Sequence, residues 1–343
     1  MNSSTHGNTQ IVLKRHPEGA VSPDDFELVA TGMPEIADGQ VLIRNLYLSM
    51  DAGFRHWMTE GAGDNYLPGM QLGDPVQSMV LGQVVKSRHS DYVEGAYLSA
   101  RCAWECFSVL DGSDLAAVIE PEPGVPLHEY MSLLGPTGMT AYFGLMQLGR
   151  PAAQETLLVS AAGGAVGTAV GQLGKIHGCR TVGLTGTEAK AEWLRQEVGY
   201  DVAISREADP DLAAALSRDV PDGIDVFFDN VGGATLDTAL GQLSERARIV
   251  LCGAMSQYEQ ERPEPVFNTW ELITKRARME GFMFSDYADQ FSAAAATLAG
   301  YYRSGALVSF NQVYAGIESA PQAFCDMMHG ASRGKCLVDL SEA

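Results

Sequence analysis

The segment from residue 155 to residue 174 constrains the fold of this chain more than any other stretch. It begins with a short apolar run, passes through small residues, and continues with apolar residues at helical spacing, from Val166 to Leu173. This pattern predicts a strand, a tight glycine turn and the N-terminus of a helix. Such a turn gathers free backbone N–H groups at the positive end of a helix dipole, which suits a diphosphate.

The same segment carries the dinucleotide-binding pattern G-x-G-x-x-G/A with one substitution, because Ala162, Gly164 and Gly167 occupy its three small positions. The pattern alone is weak evidence, since small residues also occur in ordinary strand-to-helix turns. Its place between a predicted strand and a predicted helix favours a dinucleotide site. An ordinary turn, with small residues for packing, is the alternative.

The charge of the chain excludes several classes of partner. Its 343 residues include 23 Lys and Arg against 43 Asp and Glu, a net charge of -20. Such a surface repels nucleic acid and anionic membranes, so neither is an expected partner. The six cysteines are scattered, without a C-x-x-C cluster, which indicates reduced thiols and a cytoplasmic protein. We see no signal-peptide core and no run of 18 apolar residues.

The length and the order of the apolar runs predict two domains. Residues 1–127 hold short, partly alternating runs separated by Gly, Pro and Asp, which is typical of a β-rich domain. Over residues 128–305 strands and helices alternate, which predicts an α/β Rossmann fold with a doubly wound parallel sheet. Residues 306–343 are expected to rejoin the β-rich domain.

Several local features are predicted in more detail. The strands of the parallel sheet are expected at 156–160, 180–184, 202–204, 224–228, 248–252 and 279–284. Residues 135–138 should interrupt a helical pattern, and residues 307–308 should form a short strand. Residues 51–73 form a polar, glycine-rich stretch, and a loop of that length is usually functional or mobile.

The end of the second predicted strand of the parallel sheet indicates which dinucleotide binds. An NAD site usually has an acidic residue there, about 20 residues after the glycine turn, on the ribose 2′-OH. Here the strand ends in GLTGT (183–187), with Thr187 last and without an acidic residue at its tip. Glu188 comes slightly after the usual position, and Lys190 follows it. Hydroxyls and an ammonium group suit a 2′-phosphate, which favours NADP. A solvated helix lysine is the alternative for Lys190.

Eight motifs identify the chain as a member of the zinc-independent medium-chain dehydrogenase/reductases. They are LYLSMDAGFRHWM (46–58), LPGMQLGD (67–74), LGPTGMTAYFGL (134–145), VSAAGGAVGTAVGQLGKIHGC (159–179), GIDVFFDNVGG (223–233), ARIVLCGAMSQY (247–258), RARMEGF (276–282) and GK (334–335). They resemble the branch of prostaglandin reductases, plant double-bond reductases and bacterial curcumin reductases. The resemblance implies a GroES-like β-rich domain beside the Rossmann domain, and a homodimer formed through the edge strand of the cofactor domain.

The resemblance also implies contacts to NADPH or NADP+. Ala165 and Val166 match turn residues whose amides meet the pyrophosphate, and Lys190 matches the lysine on the 2′-phosphate. Other positions that match cofactor contacts of the family are Thr140, Asn230, Cys252, Gly253, Ser256, Phe282, Met283 and Phe284.

Three departures from the family pattern concern the substrate cleft and the cofactor contacts. Gly53 replaces a tyrosine and opens one wall of the substrate cleft. Ser205 stands where many members have a tyrosine beside the 2′-phosphate, with Arg206 next to it, and Ser332 replaces an asparagine near the nicotinamide. Ser205 and Ser332 remain candidate cofactor contacts.

The reaction that the resemblance implies is reduction of an activated C=C bond, with hydride transfer from NADPH to the β-carbon of an α,β-unsaturated ketone or aldehyde and no metal. Negative charge then develops on the carbonyl oxygen, and a neutral phenol can donate a hydrogen bond to it. Tyr258 and Tyr66 match tyrosines with substrate-binding or catalytic roles in parts of the family. For each of them, a partly exposed loop tyrosine is the alternative.

An apolar substrate pocket is expected as well. Phe54, Trp57 and Met255 are candidates for its lining, and Met58 and Met70 are further candidates, with an ordinary core patch as the alternative for Met70. Two other functions stay open at this point. One is an NADP-dependent alcohol dehydrogenase or quinone reductase, and the other is a non-catalytic NADPH-binding protein.

Overall fold

The computed structural model describes residues 7–111, 117–260 and 262–341, and it divides into two compact units. The first unit comprises Met1–Met131, Gln312–Ser332 and Cys336–Ala343, and the second comprises Ser132–Asn311 and Arg333–Lys335. Within the described ranges, no helix has the length and apolar character needed to cross a membrane.

The strands and α-helices of the described residues have the following bounds. The strands are β1 (Asn8–Leu13), β2 (Phe26–Thr31), β3 (Gln40–Ser49), β4 (Gln77–Ser87), β5 (Tyr97–Ala103), β6 (Phe107–Asp111), β7 (Ala117–Ile119), β8 (Thr156–Val159), β9 (Arg180–Thr185), β10 (Val202–Ser205), β11 (Ile224–Asp229), β12 (Leu243–Leu251), β13 (Arg278–Gly281), β14 (Asn311–Ala315) and β15 (Lys335–Asp339). The helices are α1 (Phe54–Trp57), α2 (Pro136–Phe143), α3 (Ala165–Ile176), α4 (Glu188–Trp193), α5 (Leu212–Asp219), α6 (Gly233–Leu240), α7 (Trp270–Thr274), α8 (Phe291–Arg303) and α9 (Ala320–Met328).

The first unit is built on antiparallel pairing. Its larger sheet has the order β14-β15-β3-β4-β5-β7, with β6 beside β3, and β1 pairs with β2 in a separate ribbon. In β4, Val80 and Val84 lie on a buried face, and Met79 and Gln83 on the other face are partly exposed, although Leu81 between them is buried as well. The core of this unit also contains Trp104 and the α9 residue Phe324, whose rings lie 5.5 Å apart.

The second unit confirms the predicted doubly wound α/β fold. Its six strands are all parallel and have the order β10-β9-β8-β11-β12-β13. The central strand β8 is buried at every residue, as expected for a strand that helices cover on both faces. The chain runs outward from β8 through β9 to β10, and then returns to the other side of β8 to begin β11.

The predicted interruption at residues 135–138 lies too late, because the non-helical residues are 132–135. Gly135 is the N-cap of α2 and Pro136 is its first residue. The first residues of a helix have no acceptor for their N–H groups, so a proline without one fits there and its fixed φ favours the helix. The Gly-Pro pair therefore begins a helix here and does not break one.

Two predicted strands also differ from the structure. Residues 307–308 are not a strand, because the side chain of Gln172 bonds the N–H and the carbonyl of Val308, at 2.8 and 3.0 Å, in place of a neighbouring strand. The short strand of this region is β14, which begins at Asn311. The last strand of the parallel sheet ends at Gly281, so residues 282–284 lie beyond it.

Candidate cofactor and substrate site

The carboxyl ends of β8 and β11 are adjacent, and the chain leaves them in opposite directions to α3 and α6. In doubly wound sheets this reversal opens the crevice that binds ligands. Ser160 follows β8 and Asp229 ends β11, and the Ser160 hydroxyl donates to Asp229 Oδ1 at 2.6 Å. The Asn230 amide nitrogen donates to the Ser160 carbonyl at 2.7 Å, and its backbone N–H donates to the Ser160 hydroxyl at 2.8 Å. The two strand ends are therefore held together by hydrogen bonds.

Asp229 is fully buried and accepts hydrogen bonds from several donors. Besides the Ser160 hydroxyl, it accepts the N–H groups of Val231 and Gly232, each at 3.0 Å. Burial raises the pKa of this carboxyl, while the hydrogen bonds act in the opposite direction. Sequence reasoning missed the pair of Ser160 and Asp229. The available signal was an acidic residue at the end of an apolar strand, directly before Asn-Val-Gly-Gly.

The small residues of the glycine turn are explained by close contacts. A Cβ on Gly167 would lie 2.5 Å from the Ala161 carbonyl oxygen, so this position requires glycine. Ala162 is buried where the fingerprint has its first glycine. A Cβ on Gly183, on the neighbouring strand β9, would lie 2.9 Å from the Ala162 methyl group. The methyl of Ala162 therefore fits because its neighbour on β9 has no side chain.

The N-terminus of α3 has the donors that a diphosphate needs. The first N–H groups of a helix have no intrahelical acceptor, and Gly164, the N-cap, has no side chain to bond them. These groups belong to Ala165, Val166 and Gly167, which are the candidate pyrophosphate contacts. The amides and the helix dipole together fit an anion at this position.

The candidates for the 2′-phosphate differ in how they are placed. Lys190 lies against the glycine turn, since its Cδ is 3.6 Å from the position that a Cβ on Gly163 would take. Burial, and secondarily the charge of Arg333, lower the pKa of the Lys190 ammonium. The Thr187 hydroxyl accepts the Lys190 N–H at 3.3 Å and so caps α4. Ser205 is buried, and its hydroxyl accepts a backbone N–H of its own turn.

The loop after β12 is joined to the turn after β11. The N–H groups of Cys252 and Gly253 donate to the Asp229 carbonyl, at 2.8 and 3.2 Å. The N–H of Met255 donates to the Asn230 carbonyl at 3.2 Å, and the Ser256 hydroxyl donates to a backbone carbonyl of the same turn at 2.7 Å. These bonds position the candidate residues of this loop along the turn after β11.

Tyr258 completes the loop after β12, and its hydroxyl oxygen accepts the N–H of Ala254 at 3.1 Å. Burial raises the pKa of the phenol, which keeps it neutral at pH 7. In the part of the chain that the structure describes, no acceptor bonds the proton of this hydroxyl. Burial, with a smaller contribution from Asp229, also raises the pKa of the adjacent Cys252 thiol to about 12. The phenol is therefore a neutral hydrogen-bond donor with its proton available.

The remaining candidates of the second unit are mostly engaged in packing. The Thr140 hydroxyl donates to the Pro136 carbonyl at 2.8 Å, one turn back along α2. The Phe282 ring packs against Gly144, where a Cβ would lie 2.6 Å from it, and Phe284 stacks on Phe291 with ring centres 5.8 Å apart. Met283 is exposed between the two phenylalanines.

In the first unit, Tyr66 is 47% exposed and its ring centre lies 5.7 Å from that of Trp57. Asp64 organises this part of the loop, because its carboxylate accepts the N–H groups of Tyr66 and Leu67, at 2.7 and 2.9 Å, and the indole N–H of Trp57, at 3.2 Å. The two backbone hydrogen bonds contribute most to lowering the pKa of Asp64. Hydrogen bonds to Asp64 therefore define the turn at residues 64–67 and hold the rings of Trp57 and Tyr66 beside each other.

The other candidates of the first unit are in its core. Phe54, Met58 and Met70 belong to the buried apolar cluster of the unit, which is the alternative that the sequence left open for Met70. Ser332 is also buried. Within the described ranges, no group of three or more His, Cys, Asp or Glu side chains is arranged to hold a metal ion.

Comparison with protein families and known proteins gives matches over most of the chain. A family model described as the N-terminal domain of oxidoreductase matches residues 9–118, and one described as zinc-binding dehydrogenase matches residues 165–300. A putative NADP-dependent oxidoreductase of Bacillus subtilis is 37% identical over 98% of this chain and 99% of its own length. The NADP+-dependent 2-alkenal reductase of Nicotiana tabacum is 36% identical over 97% of this chain and 98% of its own.

A solved structure is similar over the same extent. The NADPH complex of CurA from Vibrio vulnificus has a TM-score of 0.89 and 33% identity, and the match covers 96% of this chain and 98% of that one. The chain is therefore similar to known oxidoreductases in sequence and in fold over nearly its whole length.

Asp229→Asn should lower both stability and cofactor affinity, because an amide cannot accept from all the donors that meet the carboxylate. We expect a loss of about 1–3 kcal/mol in the free energy of unfolding and weaker NADPH binding, measured by thermal unfolding and fluorescence titration. Asp211→Asn is the control, since Asp211 is exposed and caps α5, where asparagine caps equally well. Equal behaviour of the two variants would contradict the role given to Asp229.

Proposed function

This chain belongs to the medium-chain dehydrogenase/reductase family, in the branch of NADP-dependent double-bond reductases, and on that basis we propose that it reduces the C=C bond of α,β-unsaturated ketones and aldehydes with NADPH. The observation that carries the proposal is Tyr258, a partly buried, neutral phenol on a loop joined to the strand ends of the candidate cofactor site. The names of similar proteins support the substrate class, since one is a 2-alkenal reductase and another a (+)-pulegone reductase.

The glycine turn and its neighbours provide for the cofactor. The N–H groups at the start of α3 bind the pyrophosphate, and the ammonium of Lys190 binds the 2′-phosphate. The Asn230 side chain is bonded to the Ser160 carbonyl, so its role is to hold the turn after β11 in place. When bound, NADPH supplies the hydride for the reaction.

Tyr258 acts on the substrate carbonyl. As the β-carbon is reduced, negative charge develops on the carbonyl oxygen, and a hydrogen bond that strengthens with this charge lowers the barrier. The raised pKa of Tyr258 suits it to donating a hydrogen bond and opposes complete loss of its proton. Its oxygen is fixed by the Ala254 N–H, which orients the hydroxyl before substrate arrives. Tyr66 remains a predicted substrate contact.

The proposal is tested by following NADPH absorbance with an enone, a quinone and a secondary alcohol (with NADP+) in parallel. We expect rapid oxidation of NADPH with the enone alone. Faster turnover of the quinone or of the alcohol would assign the chain to one of the alternative oxidoreductase classes. Binding of NADPH without turnover of any of the three compounds would make it a cofactor-binding protein without this activity.

The same assay tests the role of Tyr258. Tyr258→Phe should lower kcat for the enone about a hundredfold, by analogy with removal of one oxyanion donor, with NADPH affinity unchanged within about twofold. Tyr301→Phe, on α8, is the control and should leave both quantities unchanged. Full turnover in the Tyr258→Phe variant would assign the hydrogen bond to another donor.

A second copy of the chain is the partner that we propose for the outer edge of the parallel sheet. Strand β13 has β12 on one side and, within the described residues, no strand on the other. Close to it in the chain, Phe267, Trp270 and Ile273 are 75%, 67% and 64% exposed. An unpaired edge with large apolar side chains is a surface for association, and two copies related by a twofold axis would cover it symmetrically.

Light scattering after size-exclusion chromatography should therefore give about twice the 36.7 kDa mass of the chain. Trp270→Glu should shift the protein towards the monomer, because it places a charge in the apolar surface. Val93→Glu is the control, since Val93 is 64% exposed in the first unit. A monomeric unsubstituted protein would overturn the proposal.

We also propose a cytoplasmic location. No disulfide links any of the six cysteines, all of which lie within the described residues, and Cys179, Cys325 and Cys336 are buried as thiols, which suits a reducing compartment. Recovery of the native protein outside the cytoplasm in cell fractionation would contradict this location.

A further inference from the structure

Two cationic side chains of the second unit lie beside the glycine turn. Lys190 lies beside the turn at Gly163, because its Cδ is 3.6 Å from the position that a Cβ on Gly163 would take. Gly334 is joined to the same turn, because its N–H donates to the Gly163 carbonyl at 2.9 Å and it forms a parallel bridge with Gly164. Arg333 directly precedes Gly334, so the chain brings its side chain to the turn that Lys190 contacts.

The guanidinium of Arg333 lies over the ring of Trp193. Its Cζ lies 5.4 Å from the centre of the Trp193 ring, and Trp193 is buried. The Phe310 ring packs edge-on against Trp193 at 5.2 Å, which fixes the indole. A guanidinium held over an indole by a cation–π interaction can use its five N–H donors, which lie in its plane, for other acceptors. Arg333 is exposed at this position, so donors at its edge can meet a ligand.

The approach of two positive charges is unfavourable without an anion. The charge of Arg333 contributes, after burial, to lowering the pKa of the Lys190 ammonium, as expected for two neighbouring positive charges. Within the described residues, no carboxylate forms an ion pair with Lys190, although the chain has 43 acidic residues against 23 basic ones. A doubly charged phosphate would offset the repulsion and use both cations.

We propose that Arg333 binds the 2′-phosphate of NADPH together with Lys190, and that it provides much of the preference for NADPH over NADH. The inference rests on the proposed use of NADPH. Ser205 stands where many family members have a tyrosine, and its buried hydroxyl accepts the Ala208 N–H at 3.0 Å. Arg333 supplies the additional donor from another part of the chain, with the planar geometry that favours a phosphate.

The proposal is tested by calorimetric titration of the full chain with NADPH, NADH, adenosine 2′,5′-bisphosphate and AMP. Arg333→Ala should weaken binding of NADPH and of the bisphosphate about tenfold, and change binding of NADH and AMP by less than about twofold, since only the first two carry a 2′-phosphate. Arg333→Lys should recover part of the loss, because it restores the charge without the planar donors. Arg303→Ala, an exposed arginine at the end of α8, is the control and should behave as the unsubstituted protein.

Other outcomes of the titrations would overturn the proposal. An equal loss of affinity for NADPH and NADH would mean that Arg333 only holds Gly334 beside the glycine turn. Unchanged affinity for the bisphosphate would mean that Arg333 does not touch the 2′-phosphate. Because no enone is present, the result is independent of whether the chain is an enone reductase.

Discussion

The buried hydrogen bond between Ser160 and Asp229 is the interaction on which the candidate site depends. It joins the ends of β8 and β11, where the direction of the chain reverses and the sheet opens for a ligand. The Asp229 carbonyl also accepts the N–H groups of Cys252 and Gly253. Three strand ends therefore meet at one residue, and the turns that follow them keep a fixed relation. A site for a long cofactor needs turns in fixed relative positions, because different turns contact its phosphates and its reactive ring.

A buried carboxylate has a second effect on the groups around it. It adds to the burial that raises the pKa of the Cys252 thiol, and the phenol of Tyr258, in the same loop, has a raised pKa through its own burial. Both groups therefore stay protonated near pH 7. The surroundings of Asp229 thus favour neutral hydrogen-bond donors over anions. This is the state that stabilises negative charge on a substrate oxygen, which an ionised phenol would oppose.

The sequence predicts what depends on local patterns and misses what depends on distant pairs. The glycine turn, the parallel strands and the order of the two folds follow from periodicity and spacing, and the structure confirms the fold class. The pairing of Ser160 with Asp229 joins residues 69 positions apart, so a local pattern can mark Asp229 at the end of an apolar strand but cannot identify its partner. The Gln172 side chain bonds Val308 across 136 positions and prevents the predicted strand there. Phe54 shows a different limit, because apolar residues of a core and of a pocket are alike in sequence.

In an acidic protein that binds a highly charged anion, nearby positive groups must attract the anion although the net charge of the protein repels it. A net charge of -20 repels the cofactor at a distance, but at physiological ionic strength charges farther than about 8 Å are largely screened. Affinity is therefore determined by the donors within that radius. Around the glycine turn such donors include the amides of α3, the ammonium of Lys190 and the guanidinium of Arg333, whose Cζ lies over the Trp193 ring. An aromatic face attracts a cation without neutralising it, whereas a carboxylate in direct contact would offset the positive charge that attracts a phosphate.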